Sequence, residues 1–276
     1  MDKRAEEALN ALLQSKKYRE ICPDTITRAF TSALGRYKSL KDADKAARSE
    51  LHAISEAFIS KEALDKAEAF IEKWLAGDPD SLKQALSMHA STRERLDIAE
   101  ELFTRAFQTS ENPNSILDLA CGLNPIQLGF MGYQNVTGLD IHSGCVRLIN
   151  RAAERAGWKT TAKTHDLISS IPDGEYDICL MMKLLPVMES QKTGMAKALI
   201  SGVHSKYILA SFPTRTLGGR GVGMEKHYSE WFESLIGGEI RILERFVIQN
   251  ELVYITERKD YGGQTVRSCD SDRESE

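Results

Sequence analysis

Paired cysteines are missing from this chain. Cys22, Cys121, Cys145, Cys179 and Cys269 are odd in number and form no C-x-x-C pair. That excludes a disulfide framework and gives no zinc-ligand spacing, so no metal is expected and the compartment reads as a reducing cytoplasm. Long apolar runs are missing too: none approaches the roughly 18 residues a membrane span needs. Met1-Asp2-Lys3-Arg4-Ala5-Glu6-Glu7 is charged and leads into no signal-like apolar block. Neither charge sign dominates, since 36 Lys/Arg against 40 Asp/Glu leave a net −4, mildly against a polyanionic partner for the chain as a whole. What remains is a chain of 276 residues, 42% hydrophobic and 28% charged, the composition of a soluble globular protein of one large or two ordinary domains.

Glycine is scarce at one telling place. Ser115-Ile116-Leu117-Asp118-Leu119-Ala120-Cys121-Gly122-Leu123-Asn124-Pro125 runs short apolar residues into a small-residue turn, as a buried parallel strand does before a helix whose N-terminus faces a ligand. Asp140 follows Asp118 by 22 residues and ends a second apolar run, Val136-Thr137-Gly138-Leu139. An acid roughly 20 residues on, at the tip of the second strand, is placed to accept from ribose hydroxyls. A dinucleotide turn needs G-x-G-x-x-G so that backbone can press on a pyrophosphate. Ala120, Gly122 and Asn124 occupy those places, and Pro125 has no N–H to offer a phosphate. S-adenosylmethionine carries no phosphate, and the turn favours it over NAD.

Ahead of this stretch, residues 1–110 read as a helical domain. Leu9/Leu12/Leu13, Ile26/Phe30/Leu34/Tyr37, Leu51/Ile54/Phe58 and Leu64/Ala67/Ile71/Trp74 recur at three and four residues, the period of a buried helical face. Residues 16–48 hold nine Lys/Arg against four acids, a local excess that could meet phosphates or simply be a solvated face. Ser91 and Glu94 read as a capping box opening a helix that continues through Leu96, Ala99, Phe103 and Ala106. Arg93 then falls in a first helical turn, where a cation opposes the dipole, and an ordered arginine there could grip a carboxylate.

Residues 111–262 read as alternating strands and helices. The third strand (158–165) is the least apolar and belongs near an edge, the fourth runs 176–182 and ends at Lys183, and a helix over 191–200 precedes the fifth at 207–212. A glycine-rich loop (214–224) and a helix (228–236) lead to a hairpin, 241–248 and 252–257, joined through Gln249-Asn250-Glu251. The sum is an α/β fold with a seven-stranded mixed sheet, and residues 263–276 form a polar tail expected to be disordered. Asp140, Asp166 and Lys183 all fall at carboxyl ends of strands, the edge where ligands of such sheets bind.

His89-Ala90-Ser91-Thr92-Arg93-Glu94-Arg95-Leu96, the Asp118–Pro125 turn and Phe212-Pro213-Thr214-Arg215-Thr216-Leu217-Gly218-Gly219-Arg220 together resemble the aminoglycoside-resistance 16S rRNA (guanine(1405)-N(7))-methyltransferases, over nearly the whole chain. The resemblance implies a class I, Rossmann-like methyltransferase core using S-adenosylmethionine, behind an N-terminal domain that binds 16S rRNA in the small (30S) ribosomal subunit. It implies Arg93 for the methionine carboxylate, Ala120 and Gly122 in the turn, Asp140 and Ile141 at the ribose, and Asp166 with Leu167 at the adenine. Lys183 would stand beside the target base and Arg215 and Arg220 would contact RNA; the basic run of 16–48 adds Lys16 and Lys17 as further candidates for that contact. Guanine N7 bears a lone pair and no proton, so it attacks a sulfonium methyl without a general base. The absence of a Ser/His/Asp or paired-carboxylate set accords with this, and His89, His142 and His165 read as structural or capping residues. Three rivals stay open: a methyltransferase of another RNA position, small molecule or protein; a non-catalytic RNA-binding module; and an NAD-dependent dehydrogenase.

Overall fold

The computed structural model describes residues 1–215, 223–259 and 261. The first stripes become α1 (Lys3–Leu13), α2 (Pro23–Arg36) and α3 (Leu40–Leu51), the last widening into a π-helical turn at His52–Glu56. Next come α4 (Lys61–Leu75), α5 (Asp80–Ser87), α6 (Ala90–Arg95) and α7 (Ala99–Thr109). Asp2, Ser39 and Ser60 start α1, α3 and α4 by accepting backbone N–H groups that the first turn leaves unpaired. Pro23 opens α2, where its fixed φ suits the helix and no N–H is needed.

These helices do not share one interior. α1, α2 and α3 close on Leu12, Tyr18, Ile26, Phe30 and Leu51. α4 and α5 instead bring Leu64, Ile71 and Leu82 into a cluster with Cys145, Leu148 and Ile149. α7 lays Leu102, Phe103 and Phe107 on the sheet, and each side chain so buried is worth about 1.5–3 kcal/mol. The 1–110 segment is thus divided among three clusters, two of them shared with the sheet. Periodicity reports that a helix has a buried face and not what covers it.

The remaining elements alternate: β1 (Ile116–Leu119), α8 (Asn124–Phe130), β2 (Val136–Asp140), α9 (Ser143–Ala156), β3 (Thr161–Thr164) and β4 (Glu175–Met182), then α10 (Leu185–Gln191), α11 (Met195–Gly202), β5 (His204–Pro213), α12 (Met224–Ile236), β6 (Ile240–Ile248) and β7 (Glu251–Arg258). One sheet results, in the order β3-β2-β1-β4-β5-β7-β6. β1 to β5 are parallel, and β7 runs antiparallel between β5 and β6. Both faces are covered: Leu117, Cys179, Ile208 and Tyr254 face α10 to α12, while Ile116, Ile178, Leu209 and Val253 face α7. That double burial is why the central strands read as continuous apolar runs.

The expected edge position of the third strand holds. The helix expected at 191–200 is α11, which starts only at Met195 after Gly194 at φ 82, and α10 before it was not expected. The expected capping box at Ser91 is overturned. His89 is the cap of a six-residue helix, the Ser91 hydroxyl meets His89 Nδ1 at 3.0 Å, and α7 begins separately after Ile98. Arg93 therefore sits in a last turn, where a cation suits the dipole. The polar tail from Gly262 lies outside the described residues. No helix among the described residues is long and apolar enough to cross a membrane.

Candidate active site

The parallel strands deliver their carboxyl ends to one edge, and the turn after β1 is the tightest point there. Ala120 (φ 52) and Gly122 (φ 55) both take left-handed backbone. At Gly122 the need for glycine is also steric, since a Cβ would lie 2.4 Å from the His89 ring. The Gly122 N–H donates to Asp140 Oδ2 and the His142 N–H to Asp140 Oδ1, both at 2.8 Å. The carboxylate ending β2 is so aimed by two backbone donors. Below the turn, Asn124 Nδ2 donates to Asp118 Oδ2 at 2.8 Å, which explains an asparagine where a dinucleotide turn has glycine. Burial pushes the Asp118 carboxyl up to about 7; the Asn124 hydrogen bond and the Arg95 charge pull the other way.

The second acid, Asp166, is 4% exposed. Its Oδ1 accepts the Ile168 N–H at 2.9 Å and its Oδ2 the Arg28 Nε–H at 2.8 Å. Burial alone would raise this carboxyl, but the hydrogen bond and charge of Arg28 hold it below the usual range. Arg28 also donates to Glu50 at 3.3 Å and to Gln191 at 3.1 Å.

Lys183 follows β4 with φ 53, its N–H held by the carbonyl and hydroxyl of Ser211 at 3.1 and 3.0 Å. Its ammonium lies 2.8 Å from Glu94 and 3.4 Å from Glu251. Glu251, 2% exposed at the start of β7, also receives the Arg95 Nε–H at 3.0 and 3.2 Å and the Ser211 hydroxyl at 2.5 Å. Burial works to raise this carboxyl, and Arg95, Lys183 and Ser211 together hold it low.

Between these groups lies a cavity of about 350 Å³, in the size range of small-molecule sites. Ala120, Asp140, Ile141, Asp166, Leu167 and Lys183 line it together, six of the residues singled out from sequence. Gly122 lies under the wall, bonded to Asp140. Arg93 is not among the lining: it is exposed, donates to the Ser87 carbonyl at 3.2 Å, and lies near enough to oppose protonation of His89. Lys16 and Lys17 are exposed between α1 and α2, away from the cavity. Arg215 is exposed just past β5, and Arg220 falls outside the described residues.

Sequence reasoning missed Arg28, Glu94 and residues 53–55 and 57–59 as cavity walls, and Arg95 and Glu251 as the pair behind Lys183. Arg28 was visible only as one cation in a basic run. Glu251 was visible only as a hairpin residue.

Residues 14–255 match the family model described as Ribosomal RNA methyltransferase (FmrO). The chain belongs to the FmrO family. Among its relatives, the 16S rRNA (guanine(1405)-N(7))-methyltransferase of Serratia marcescens is 41% identical over 252 residues, spanning 91% of this chain and 98% of that protein. The enzyme of the same description from Micromonospora rosea is 32% identical, over 92% and 97% of the two chains. Among solved structures, 16S rRNA methyltransferase RmtF in complex with S-adenosyl-L-homocysteine superposes with a TM-score of 0.89 at 51% identity, over 94% of this chain and 99% of that one. The 16S rRNA methylase RmtB gives 0.82 at 36% identity, over 94% and 100%. The fold is thus the class I, Rossmann-like α/β fold of these FmrO methylases, with the sheet order found above.

Proposed function

We infer that this chain is an S-adenosylmethionine-dependent 16S rRNA (guanine(1405)-N(7))-methyltransferase that confers aminoglycoside resistance. The observation that carries this is the gathering of Asp140, Asp166 and Lys183 around one cavity, behind a turn without phosphate-binding glycines, in an FmrO-family chain. The donor set suits the methyl donor: two acid acceptors stand apart, for ribose hydroxyls and for an exocyclic amine, with Leu139, Ile141 and Leu167 as apolar walls. S-adenosylmethionine, when bound, supplies a methyl on a positively charged sulfur.

The protein's part in the reaction is placement. Asp140, fixed by Gly122 and His142, accepts from the ribose, with Ile141 beside it. Asp166 and Leu167 hold the adenine, and Ala120 and Gly122 keep the turn out of the way. Arg93, an exposed and long side chain, reaches the methionine carboxylate by turning from the Ser87 carbonyl. The target guanine leaves its stack, and its N7 lone pair attacks with no proton to remove. Lys183 donates to O6 or a neighbouring phosphate, which orients the base edge. Moving partners is easy on one side only: Glu94 is about half exposed and can release the ammonium, while buried Glu251 stays.

The physiological substrate is 16S rRNA within the 30S subunit, in the cytoplasm. The N-terminal helices, through Lys16 and Lys17, and the loop bearing Arg215 and Arg220 make the RNA contacts. The deciding experiment offers methyl-labelled S-adenosylmethionine with intact 30S subunits, free 16S rRNA or ribosomal proteins. Label at N7 of guanine 1405 and kanamycin and gentamicin resistance of an expressing host are expected. Label on protein or at another nucleotide would reject the assignment.

A further inference from the structure

We propose that Arg28, carried by α2 outside the nucleoside-binding sheet, is a positioning residue of the cofactor cavity: its guanidinium fixes Asp166 as an ionised acceptor and so lets that end select an exocyclic amine over an oxo group. This rests on the reading of Asp166 as the adenine acceptor. The geometry is a three-way clamp. Arg28 Nε donates to Asp166 at 2.8 Å, while its two other nitrogens reach Glu50 of α3 and Gln191 at the end of α10. A guanidinium forked among three partners has one orientation, and a single-point ammonium would not.

The chemistry follows from the state of the carboxyl. An ionised Asp166 only accepts hydrogen bonds, so it attracts an amine and repels a carbonyl. Protonated, it would donate and the preference would weaken. In a site 4% exposed, ionisation needs a charged partner, and Arg28 is the cation bonded to it. The other groups close to Asp166 are the Thr25 hydroxyl of α2 and the Ile168 N–H. His165 and Asp140 line the same cavity, and Glu50 stands behind Arg28.

α2 is also tied to the sheet at this spot. The Cys22 N–H donates to the Ile141 carbonyl at 2.7 Å, the Ser143 N–H to the Glu20 carbonyl at 2.7 Å, and the Ser143 hydroxyl to the Glu20 carboxylate at 2.6 Å. The helix carrying Arg28 is therefore anchored beside the ribose acceptor, and its side chain completes the far end.

Calorimetry of the full chain with S-adenosylhomocysteine and with S-inosylhomocysteine, in which an oxo group replaces the amine, tests this. Arg28→Gln keeps a neutral donor of similar length. It should weaken S-adenosylhomocysteine by about tenfold or more, narrow the preference over the inosyl analogue, and make affinity fall as the pH is lowered, where the wild type stays level. Arg28→Lys should restore a level profile and part of the preference. In an Asp166→Asn background, Arg28→Gln should add nothing. Wild-type affinity, preference and pH profile in Arg28→Gln, beside weak binding by Asp166→Asn, would overturn the role of Arg28 and leave the adenine reading standing. Unchanged binding by Asp166→Asn would overturn that reading itself. A further loss from Arg28→Gln in the Asp166→Asn background would show that Arg28 does not act through the carboxylate.

Discussion

Lys183 is fixed in the cavity by two constraints of different kinds. Its left-handed backbone costs a non-glycine residue about 1–2 kcal/mol and persists because Ser211 takes its N–H twice. Its ammonium is flanked by Glu94 and Glu251, so it is a placed charge and not a swinging one. Asp140 is fixed just as firmly, by two backbone donors, but at the end of the cavity proposed to take the cofactor's ribose. The two should therefore fail in opposite ways. Lys183→Ala is expected to lower methylation of 30S subunits while S-adenosylhomocysteine affinity stays close to wild type. Asp140→Ala is expected to cost about 1.5–3 kcal/mol of that affinity. Calorimetry beside a methylation assay checks both; a Lys183→Ala enzyme as fast as wild type would end the positioning role.

At the scale of the element, the turn between β1 and α8 is flanked by two buried groups whose titrations act on stability in opposite directions, His89 at the start of α6 and Asp118 in β1. His89, stacked on Phe58, is driven down to about 4 by burial, with Asp140 pulling it up and Arg95 and Arg93 pushing it further down. Folding then releases its proton, so its contribution is present above about 6.5 and is lost as pH falls towards 4. Asp118 is raised to about 7. Its contribution is present below about 3.9 and is lost as pH rises through 7. Between these limits the slopes have opposite signs and offset each other. Asp118→Asn should leave the histidine slope exposed, giving a melting temperature that drops more on acidification than in wild type. His89→Gln should do the reverse, and parallel curves for all three proteins would refute the pairing. The strands themselves were legible because an apolar run with both faces buried has few alternatives, and the carboxyl-end meeting of Asp140, Asp166 and Lys183 followed from parallel order. The start of α6 was not legible. Ser91 and Glu94 have the capping-box spacing, yet the Ser91 hydroxyl is taken by His89, a contact within the turn that spacing does not encode.

For the whole molecule, the basic segment from 16 to 48 is less bare than its composition implied. Arg28, Arg36 and Arg48 are paired with Asp166, Glu50 and Asp44, and Lys16 stays exposed with Lys17 beside the Tyr18 ring. Lys16→Glu with Lys17→Glu should weaken binding to 30S subunits, most at low salt, and leave cofactor affinity alone. Normal subunit binding by that variant would make the segment an ordinary solvated face. What sequence could not supply were partners far apart in the chain: Arg28 and Asp166 are 138 residues apart, Arg95 and Glu251 156. No local period records such a meeting. The place of β7 carries one more consequence. It is made last of the seven strands yet lies inside the sheet, between β5 and β6, and its first residue is Glu251. During synthesis the chain emerges N-terminus first, so a nascent chain halted near Ile248 has every residue lining the cavity but an open seam along β5 and no Glu251 behind Lys183. The cavity's support behind Lys183 can therefore be completed only after β7 has left the translating ribosome.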